Sequence, residues 1–359
     1  MNIYVLNKNL ERVGVIDGYA SIIWTNRYYS YGDFELYLQA TPQVIVLLQE
    51  DFYLIREGKE NNAMIIESIQ ITTDAENGNY LTVKGRCLKS IIYRRVIWEQ
   101  TSLSGKVETC ISRLLTENAI NPTIADRKIS NFTIGSMVET GATMDAQYTG
   151  TNLGEAISAI CQNYGVGWDV QLDLQNKDFL FVLYSGTDRS YNQKEVPWVV
   201  FSNDYENLLN TSYTYDKSKY ANVAQVAGEG EGAARRLYTV GTAADLERYE
   251  LYVDARDLSS NDGELTDAEY TAQLEERGLE KLAEQTDAQN FDGETVDYTY
   301  KYGKDYFLGD IVEVVNEYDM QASTRVIEVI ESEDDSGVYT VPTFSSYISP
   351  YSNSEEVEA

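Results

Sequence analysis

A strict two-residue alternation over residues 34–39 sets the first limit on the fold. Phe34, Leu36 and Leu38 point one way, and Glu35, Tyr37 and Gln39 point the other. That pattern predicts a half-buried β-strand, led in by a turn at Gly32-Asp33. The surrounding stretch, NRYYSYGDFELYLQA (Asn26 to Ala40), holds four tyrosines, in a chain with 29 Tyr, 9 Phe and no His. A tyrosine ring packs on a pleated face while its hydroxyl stays wet. Such residues either fill half-exposed strand positions or meet a partner, and this stretch does not separate the two.

Strand patterns recur through the first hundred residues. The start, MNIYVLNKNLERVG, reads as a strand, because its apolar run Ile3 to Leu6 is too short for a signal peptide, and synthesis in a cytoplasm is expected. Tyr53 to Arg56, AMIIESIQITT and YLTVKGR follow as strands, with Asn77-Gly78 as a hairpin signal. In CLKSIIYRRVIW the spacing changes. Leu88, Ile91 and Ile92 share one helical face there, which predicts a short covering helix.

Two longer helices come next. Ser104 is placed to cap the first, whose stripe is Val107, Cys110, Ile111, Leu114 and Leu115, ending at Asn118. Asn152 starts the second, with Glu155 at the capping-box position and a stripe of Leu153, Ala156, Ile157, Ile160, Cys161 and Tyr164. Gly165-Val166-Gly167 stops it. WDVQLD and FLFVLYSG then read as a strand pair, and WVVFS, TSYTYD and NVAQVAG as further strands.

After the glycine segment GEGEGAARR the chain turns acidic. Thr266 with Glu269 forms a capping box, with Leu265 and Tyr270 as a staple, and the helix is expected to run to about Gln289. Leu274, Leu279 and Leu282 alternate with Glu275, Glu276, Glu280 and Glu284, which predicts a helix with much of its surface wet or facing a partner. Val296, Tyr298, Tyr300 and Tyr302 then share one strand face. The tail SNSEEVEA is polar and expected to fray.

An internal repeat links the two ends. Asp51 precedes the strand Phe52 to Ile55, a loop leads to Ile66-Glu67-Ser68-Ile69, and Gly78-Asn79-Tyr80 begins the return. Asp310 precedes Ile311 to Val315, a loop leads to Ile327-Glu328-Val329-Ile330, and Gly337-Val338-Tyr339 begins the return. The expected fold is α+β and mostly β, with two similar small β-barrel domains, an α+β module between them and a helical insertion in the second barrel. The boundaries are 1–98 for the first barrel, 99–200 for the module, 201–235 and 292–347 for the two parts of the second barrel, 236–291 for the acidic insertion and 348–359 for a flexible tail.

The chemistry is bounded by what is missing. Without histidine there is no Ser-His-Asp or Cys-His arrangement and no usual zinc or iron site. Cys87, Cys110 and Cys161 are far apart and odd in number, so buried free thiols are expected. GEGEG is not followed by an apolar helix stripe, which argues against a phosphate cradle. Asp257, Ser259 and Asn261 alternate like calcium ligands, but Gly263 falls one place late and Ala268 stands where the bidentate carboxylate belongs. No apolar run approaches the length of a bilayer span. A formal net charge of −30 argues against groove binding of nucleic acid, though not against a surface past which it slides. No catalytic, cofactor-binding or metal-binding residue is assigned.

YFLGDIVEV (Tyr306 to Val314) and YSGTDRS (Tyr184 to Ser190), with WTNRYYSYGDFEL, VKGRCLKSIIYRRVI, TNLGEAISAICQNYGVGWDV, VVFSNDYENLLNTSYTYD and NVAQVAGEGEG in the same order, resemble the siphophage tail-hub proteins of the Tal-like, distal-tail kind. These are similar to the baseplate hub of contractile tails. The resemblance covers most of the chain. It implies a homotrimer in the virion tail tip, two tube-type barrels per chain forming a pseudo-sixfold ring, and a hub that closes the tail tube for DNA passage. It further implies a distal tail protein, a tape-measure protein and tip or fibre proteins as partners, with DNA only in transit, no specific DNA binding and no integral membrane segment. Three copies at −30 each would carry −90, which suits a lumen that does not trap DNA. On this reading the chain is not an enzyme and needs no cofactor, its tyrosines are contact area, and its helical insertion lies at the hub periphery. Gly309 would allow a tight turn, with the Asp310 side chain holding local amides. The sequence stops just after YTVPTFSSYISPYS, without the lytic or receptor-binding extension of many relatives, so a lytic or fibre function is expected on a separate protein. The alternatives are a tail-associated peptidoglycan hydrolase using two carboxylates and a module that binds cell-surface glycan or a receptor.

Overall fold

The computed structural model describes residues 2–76, 78–285, 288–295, 299–316, 318 and 321–346. The expectations for Asn77, for Val296 and Tyr298, and for the tail 348–359 lie outside these. The first strands are β1 (Ile3–Leu6), β2 (Arg12–Ile16), β3 (Ser21–Arg27) and β4 (Asp33–Gln39). In β4 the alternation acts as expected: Phe34, Leu36 and Leu38 are buried and the residues between them are not. Helix α1 (Pro42–Leu47) follows, with Thr41 accepting from the Val44 amide. Then come β5 (Tyr53–Arg56), β6 (Lys59–Asp74) and β7 (Gly78–Cys87), and a 3-10 helix over Leu88–Arg94 that buries Leu88, Ile91 and Ile92.

The middle of the chain contains β8 (Thr101–Lys106), α2 (Val107–Leu115), β9 (Phe132–Met137), β10 (Thr143–Tyr148), α3 (Leu153–Asn163), β11 (Gly167–Asp173) and β12 (Asp178–Tyr184). The five stripe residues of α2 are buried. Ser104, however, is no cap: it lies in β8 opposite Asp145, and Lys106 holds the N-cap position without a side-chain bond. Pairing with β10 satisfies the backbone before Val107, so a capping hydroxyl is not needed there. Asn152 does cap α3, accepting from the Gly154 and Glu155 amides.

The last part contains β13 (Val200–Ser202), β14 (Leu208–Asp216), β15 (Val223–Ala227), β16 (Leu237–Val240), β17 (Glu250–Asp254), α4 (Asp267–Ala283), β18 (Ala288–Thr295), β19 (Ile311–Val315), β20 (Gln321–Asp334) and β21 (Gly337–Ser346). Thr266 and Glu269 form the complete capping box of α4. The helix stops at Ala283, and Gln289 lies in β18 rather than in the helix. Tyr300 and Tyr302 fall outside regular strands; both pack on the core of Phe201, Val312 and Phe344.

Thirteen strands share one sheet, in the order β14-β18-β21-β20-β3-β4-β7-β6-β5-β1-β2, with β19 on β20 and β13 on β19. The order β4-β7-β6-β5 of the first half is matched by β18-β21-β20-β19 in the second. Thus β5, carrying Tyr53 to Arg56, and β19, carrying Ile311 to Val315, hold equivalent places. Each long hairpin also has one register shift, between Ile66 and Ser68 and between Val326 and Glu328. Each half packs its own core, around Trp24, Phe34 and Val83 in the first and Phe201, Val326 and Phe344 in the second.

Two separate closed barrels are not what these strands build, and no closed barrel is found among the described residues. Strand β3 pairs antiparallel with β20, Ser21 opposite Asp334 and Arg27 opposite Glu328. The free edge of one half is satisfied by the other, which removes the need for each half to close on itself. A second difference concerns the acidic segment. Strand β15 leaves the large sheet and pairs with β16 and β17, and α4 covers that three-stranded sheet. The inner face of α4 is not wet: Tyr270, Gln273, Leu274, Glu276 and Glu280 are buried on it.

The β3–β20 seam is pinned from the side. Arg56, 2% exposed, places Nη2 2.8 Å from Glu331 and its guanidinium 4.6 Å over the Trp24 ring, while Lys59 Nζ lies 2.6 Å from the other oxygen of Glu331. Burial pushes the Glu331 carboxyl up, but the Arg56 and Lys59 cations outweigh it and hold the group below its ordinary value. Its contribution is therefore complete above the ordinary glutamate range and is lost as pH falls through the depressed value. Glu331→Gln strands a buried guanidinium and is expected to lower stability at neutral pH by about 3 kcal/mol, read as a denaturant midpoint. An unchanged midpoint would show that the pair does not hold the seam.

Candidate functional site

The segments GTDRS and LGD are more than 100 residues apart, yet they meet against Tyr28. Both lie beside β19. The Ile311 amide donates to the Thr187 carbonyl at 3.0 Å, and the Arg189 amide donates to the Ile311 carbonyl at 2.8 Å. Asp310, 2% exposed, accepts from the Thr187 amide at 2.7 Å through Oδ1, and from Arg189 Nε at 2.8 Å and the Phe307 amide at 3.0 Å through Oδ2. One carboxylate thus fixes both segments with charge-assisted bonds. The expected role of Asp310, holding backbone amides, extends to an amide 123 residues away.

Close approach explains the glycines. Gly309 has φ +94, and a Cβ there would lie 2.2 Å from the Tyr28 ring. A Cβ on Gly186 would lie 1.9 Å from the Gly309 carbonyl oxygen. Arg325 donates to that same carbonyl at 2.6 Å and stands 5.2 Å over the Tyr28 ring. The Tyr28 hydroxyl accepts from the Gly186 amide at 3.3 Å and donates to the Tyr184 carbonyl at 3.4 Å. Tyr29 and Tyr184 meet the Tyr28 ring edge-on at 4.8 and 5.4 Å. The ring is wholly buried, and burial raises the pKa of its hydroxyl against the nearby Arg325 charge. Tyr28 is therefore an internal keystone, not the wet contact face that the tyrosine-rich stretch suggested.

Lys89 holds this segment from beneath. Its ammonium, on the 3-10 helix after β7, donates to the carbonyls of Arg27 at 2.6 Å, Tyr28 at 3.3 Å and Ser30 at 3.1 Å. Trp168 Nε1 takes the remaining carbonyl, that of Tyr29, at 2.7 Å. Burial lowers the Lys89 pKa, and the Asp169 charge opposes that. Sequence reasoning passed over Lys89, Trp168 and Arg325. The one available signal was a lone lysine between apolar neighbours in CLKSII.

This junction spends its polar groups on the chain itself. Among the described residues no group of His, Cys, Asp or Glu is arranged to hold a metal. The calcium-like side chains bond within the chain: Asp257 pairs with Arg277, the Ser259 hydroxyl accepts from the Asn261 amide, and Asn261 Oδ1 accepts from Gln100 Nε2. The three cysteines are free and buried. No helix among the described residues is long and apolar enough to cross a membrane.

A model of the family described as Siphovirus ReqiPepy6 Gp37-like protein matches residues 2–344. No curated protein matches the sequence. Three solved structures share the fold over nearly the whole chain. The tail protein from Neisseria meningitidis MC58 has a TM-score of 0.59 at 12% identity, covering 96% of this chain and 95% of that one. The 43 kDa tail protein of prophage MuSo2 from Shewanella oneidensis has a TM-score of 0.58 at 11% identity, covering 98% and 99%. Prophage tail protein gp18 from Listeria monocytogenes EGD-e has a TM-score of 0.54 at 11% identity, covering 97% and 95%.

Two substitutions test the junction. Gly309→Val drives a branched side chain into the Tyr28 ring at a positive φ, and is expected to reduce the yield of folded protein and its melting temperature together. A variant that melts like the wild type would refute the packing role. Lys89→Met leaves one buried and two partly buried carbonyls without this donor and is expected to lower the urea midpoint by the equivalent of about 2 kcal/mol. A raised midpoint would mean that the cost of burying the ammonium exceeds what its bonds return.

Proposed function

Because the chain belongs to the Siphovirus Gp37-like family, we propose that it is a structural subunit of a phage tail tip: a homotrimeric hub that closes the tail tube and adapts it for DNA passage. The observation that carries this reading is the junction. The segments GTDRS and LGD fix distant parts of the chain to one another, with the Asp310 carboxylate and the Arg189 and Arg325 guanidinium groups bonded within the chain. Full-length likeness to three tail proteins supports it. The matched strand orders in the large sheet suit a chain that presents two similar faces, so that three copies give six. We read 1–98, and 201–235 without β15 together with 292–347, as those two units, 99–200 as the module between them, and 236–291 with β15 as a unit set beside it.

The hub sits in the virion tail tip, and its partners are the distal tail protein, the tape-measure protein and tip or fibre proteins. DNA passes without specific binding, since three chains at −30 each present −90. Exposed rings such as Tyr205, Tyr215, Tyr252 and Trp198 supply contact area at low side-chain entropy cost.

Solution mass, measured with and without the neighbouring tail proteins, tests the assembly. The expected result is three chain masses, alone or in the mixture. A monomer under every condition would overturn the hub reading. A zymogram on host cell walls tests the hydrolase alternative: a cleared band abolished by substituting a carboxylate would replace the structural reading with an enzymatic one.

A further inference from the structure

Helix α4 turns two carboxylates inward, one helical turn apart. Glu276 is 6% and Glu280 4% exposed. Glu276 accepts from the Tyr164 hydroxyl at 2.9 and 3.0 Å on its two oxygens and from Asn163 Nδ2 at 3.3 Å. Glu280 accepts from the Tyr148 hydroxyl. Tyr148 comes from β10, and Asn163 and Tyr164 from the end of α3, so the two carboxyls bond across to the module formed by β8–β12, α2 and α3.

The charges facing them do not balance. From α4 itself, Arg277 Nε lies 3.8 Å from Glu280, but its two Nη atoms are committed to Asp257 at 3.1 and 3.0 Å, and one of them also to the Gln147 carbonyl. Lys281 is half-buried, pairs with Glu284 and also opposes the rise at Glu280. From β10 comes Asp145, and from α2 the Cys110 thiol. Strand β15 brings no titratable group, β16 brings Tyr238 against Glu275, and the loop after β17 brings Asp257. Fully ionised, the two buried carboxylates Glu276 and Glu280 would face Arg277, which is already engaged by the exposed Asp257, with Lys281 acting on Glu280 from the rim. Two like charges sharing one site cannot both ionise cheaply.

We propose that this face is a proton-dependent clasp: a proton held on the Glu276–Glu280 pair keeps α4, with the β15–β17 sheet behind it, docked on the module, and losing that proton loosens the dock. Release would widen the cleft of about 450 Å³ between α3 and α4, lined by Glu155, Ser158, Gln162, Arg277, Glu280 and Lys281. Burial first, and the Glu280 charge second, push the Glu276 carboxyl up to about 7, and burial raises Glu280 as well. An undocked glutamate keeps the ordinary value of 4.5. Below 4.5 both states are protonated and the clasp is at full strength. Between there and about 7 the docked state holds a proton that the undocked state has released, so docking weakens as pH rises and levels off above that window.

Hydrogen exchange of the full-length chain between about pH 5 and 8, corrected for intrinsic rates, reads this directly. Protection of the α4 amides is expected to fall about tenfold per pH unit per proton between about pH 5 and 7, while β6 and β7 stay constant. Glu276→Gln keeps hydrogen-bonding atoms for Tyr164 and Asn163, so it should remove one proton from the slope and raise α4 protection at about pH 8 by tenfold or more. The wild-type profile stands as a test on its own if a variant folds poorly. Protection of α4 that does not change with pH, or a slope kept intact in both Glu276→Gln and Glu280→Gln, would overturn the clasp.

Discussion

A buried ammonium sets the geometry on which the rest of the fold depends. Between β3 and β4 the chain must leave the sheet, and a departing strand loses its ladder partners where the chain is at least partly buried. Lys89 and Trp168 replace them, taking the four successive carbonyls of residues 27–30. Burying a positive charge costs free energy, which is why the Lys89 pKa is lowered by burial. The carbonyl dipoles and the Trp168 face at 5.0 Å offset that cost. With its carbonyls fixed, the segment can aim the Tyr28 ring at Gly167 and Gly309, where only glycine leaves room. Tyr28 then brings the LGD turn and the GTDRS loop into register with the N-terminal strands. The order of causation runs from one lysine, to a backbone shape, to a ring, to the contact between two distant motifs.

Much of this was legible from local pattern. Alternation found β4, and 3.6-residue stripes found α2 and α3 with their buried faces, because those signals reflect burial that local sequence already encodes. The capping box of α4 was legible because both partners lie within one turn. The paired hairpins β6–β7 and β20–β21 were legible as a repeat, since hairpins are local. What stayed hidden depends on groups far away in the chain. The seam between β3 and β20 is a choice of partner, and neither strand's alternation specifies it. Glu276 and Glu280 looked like wet positions, since a carboxylate is seldom buried without a partner. Their partners are hydroxyls 112 and 132 residues away, which no window of sequence contains. Asp310 was read as a local cap for the same reason, while its main bonds reach Thr187 and Arg189.

The same physics yields two kinds of joint. In the large sheet the halves share backbone hydrogen bonds along seven residue pairs of β3 and β20, with Glu331 gripped by two cations beside them. Such a joint is cooperative, because separating the halves breaks a ladder and strands a buried guanidinium at once. Between α4 and the module the bonds are side chain to side chain or side chain to backbone, as with Tyr164 to Glu276 and Gln162 to the Ala283 carbonyl. That joint can open without unravelling either sheet. The two acids respond to pH in opposite directions. Glu331 is held ionised by its cations and weakens its joint only in acid, whereas Glu276 is held protonated by burial and weakens its joint as pH rises. As pH rises toward neutrality, therefore, the sheet seam is at full strength while the α4 contact weakens. A body that must stay whole while one part of it yields is what this division of bonds would produce: the frame is set by backbone pairing, and the movable element is set by two carboxyl groups.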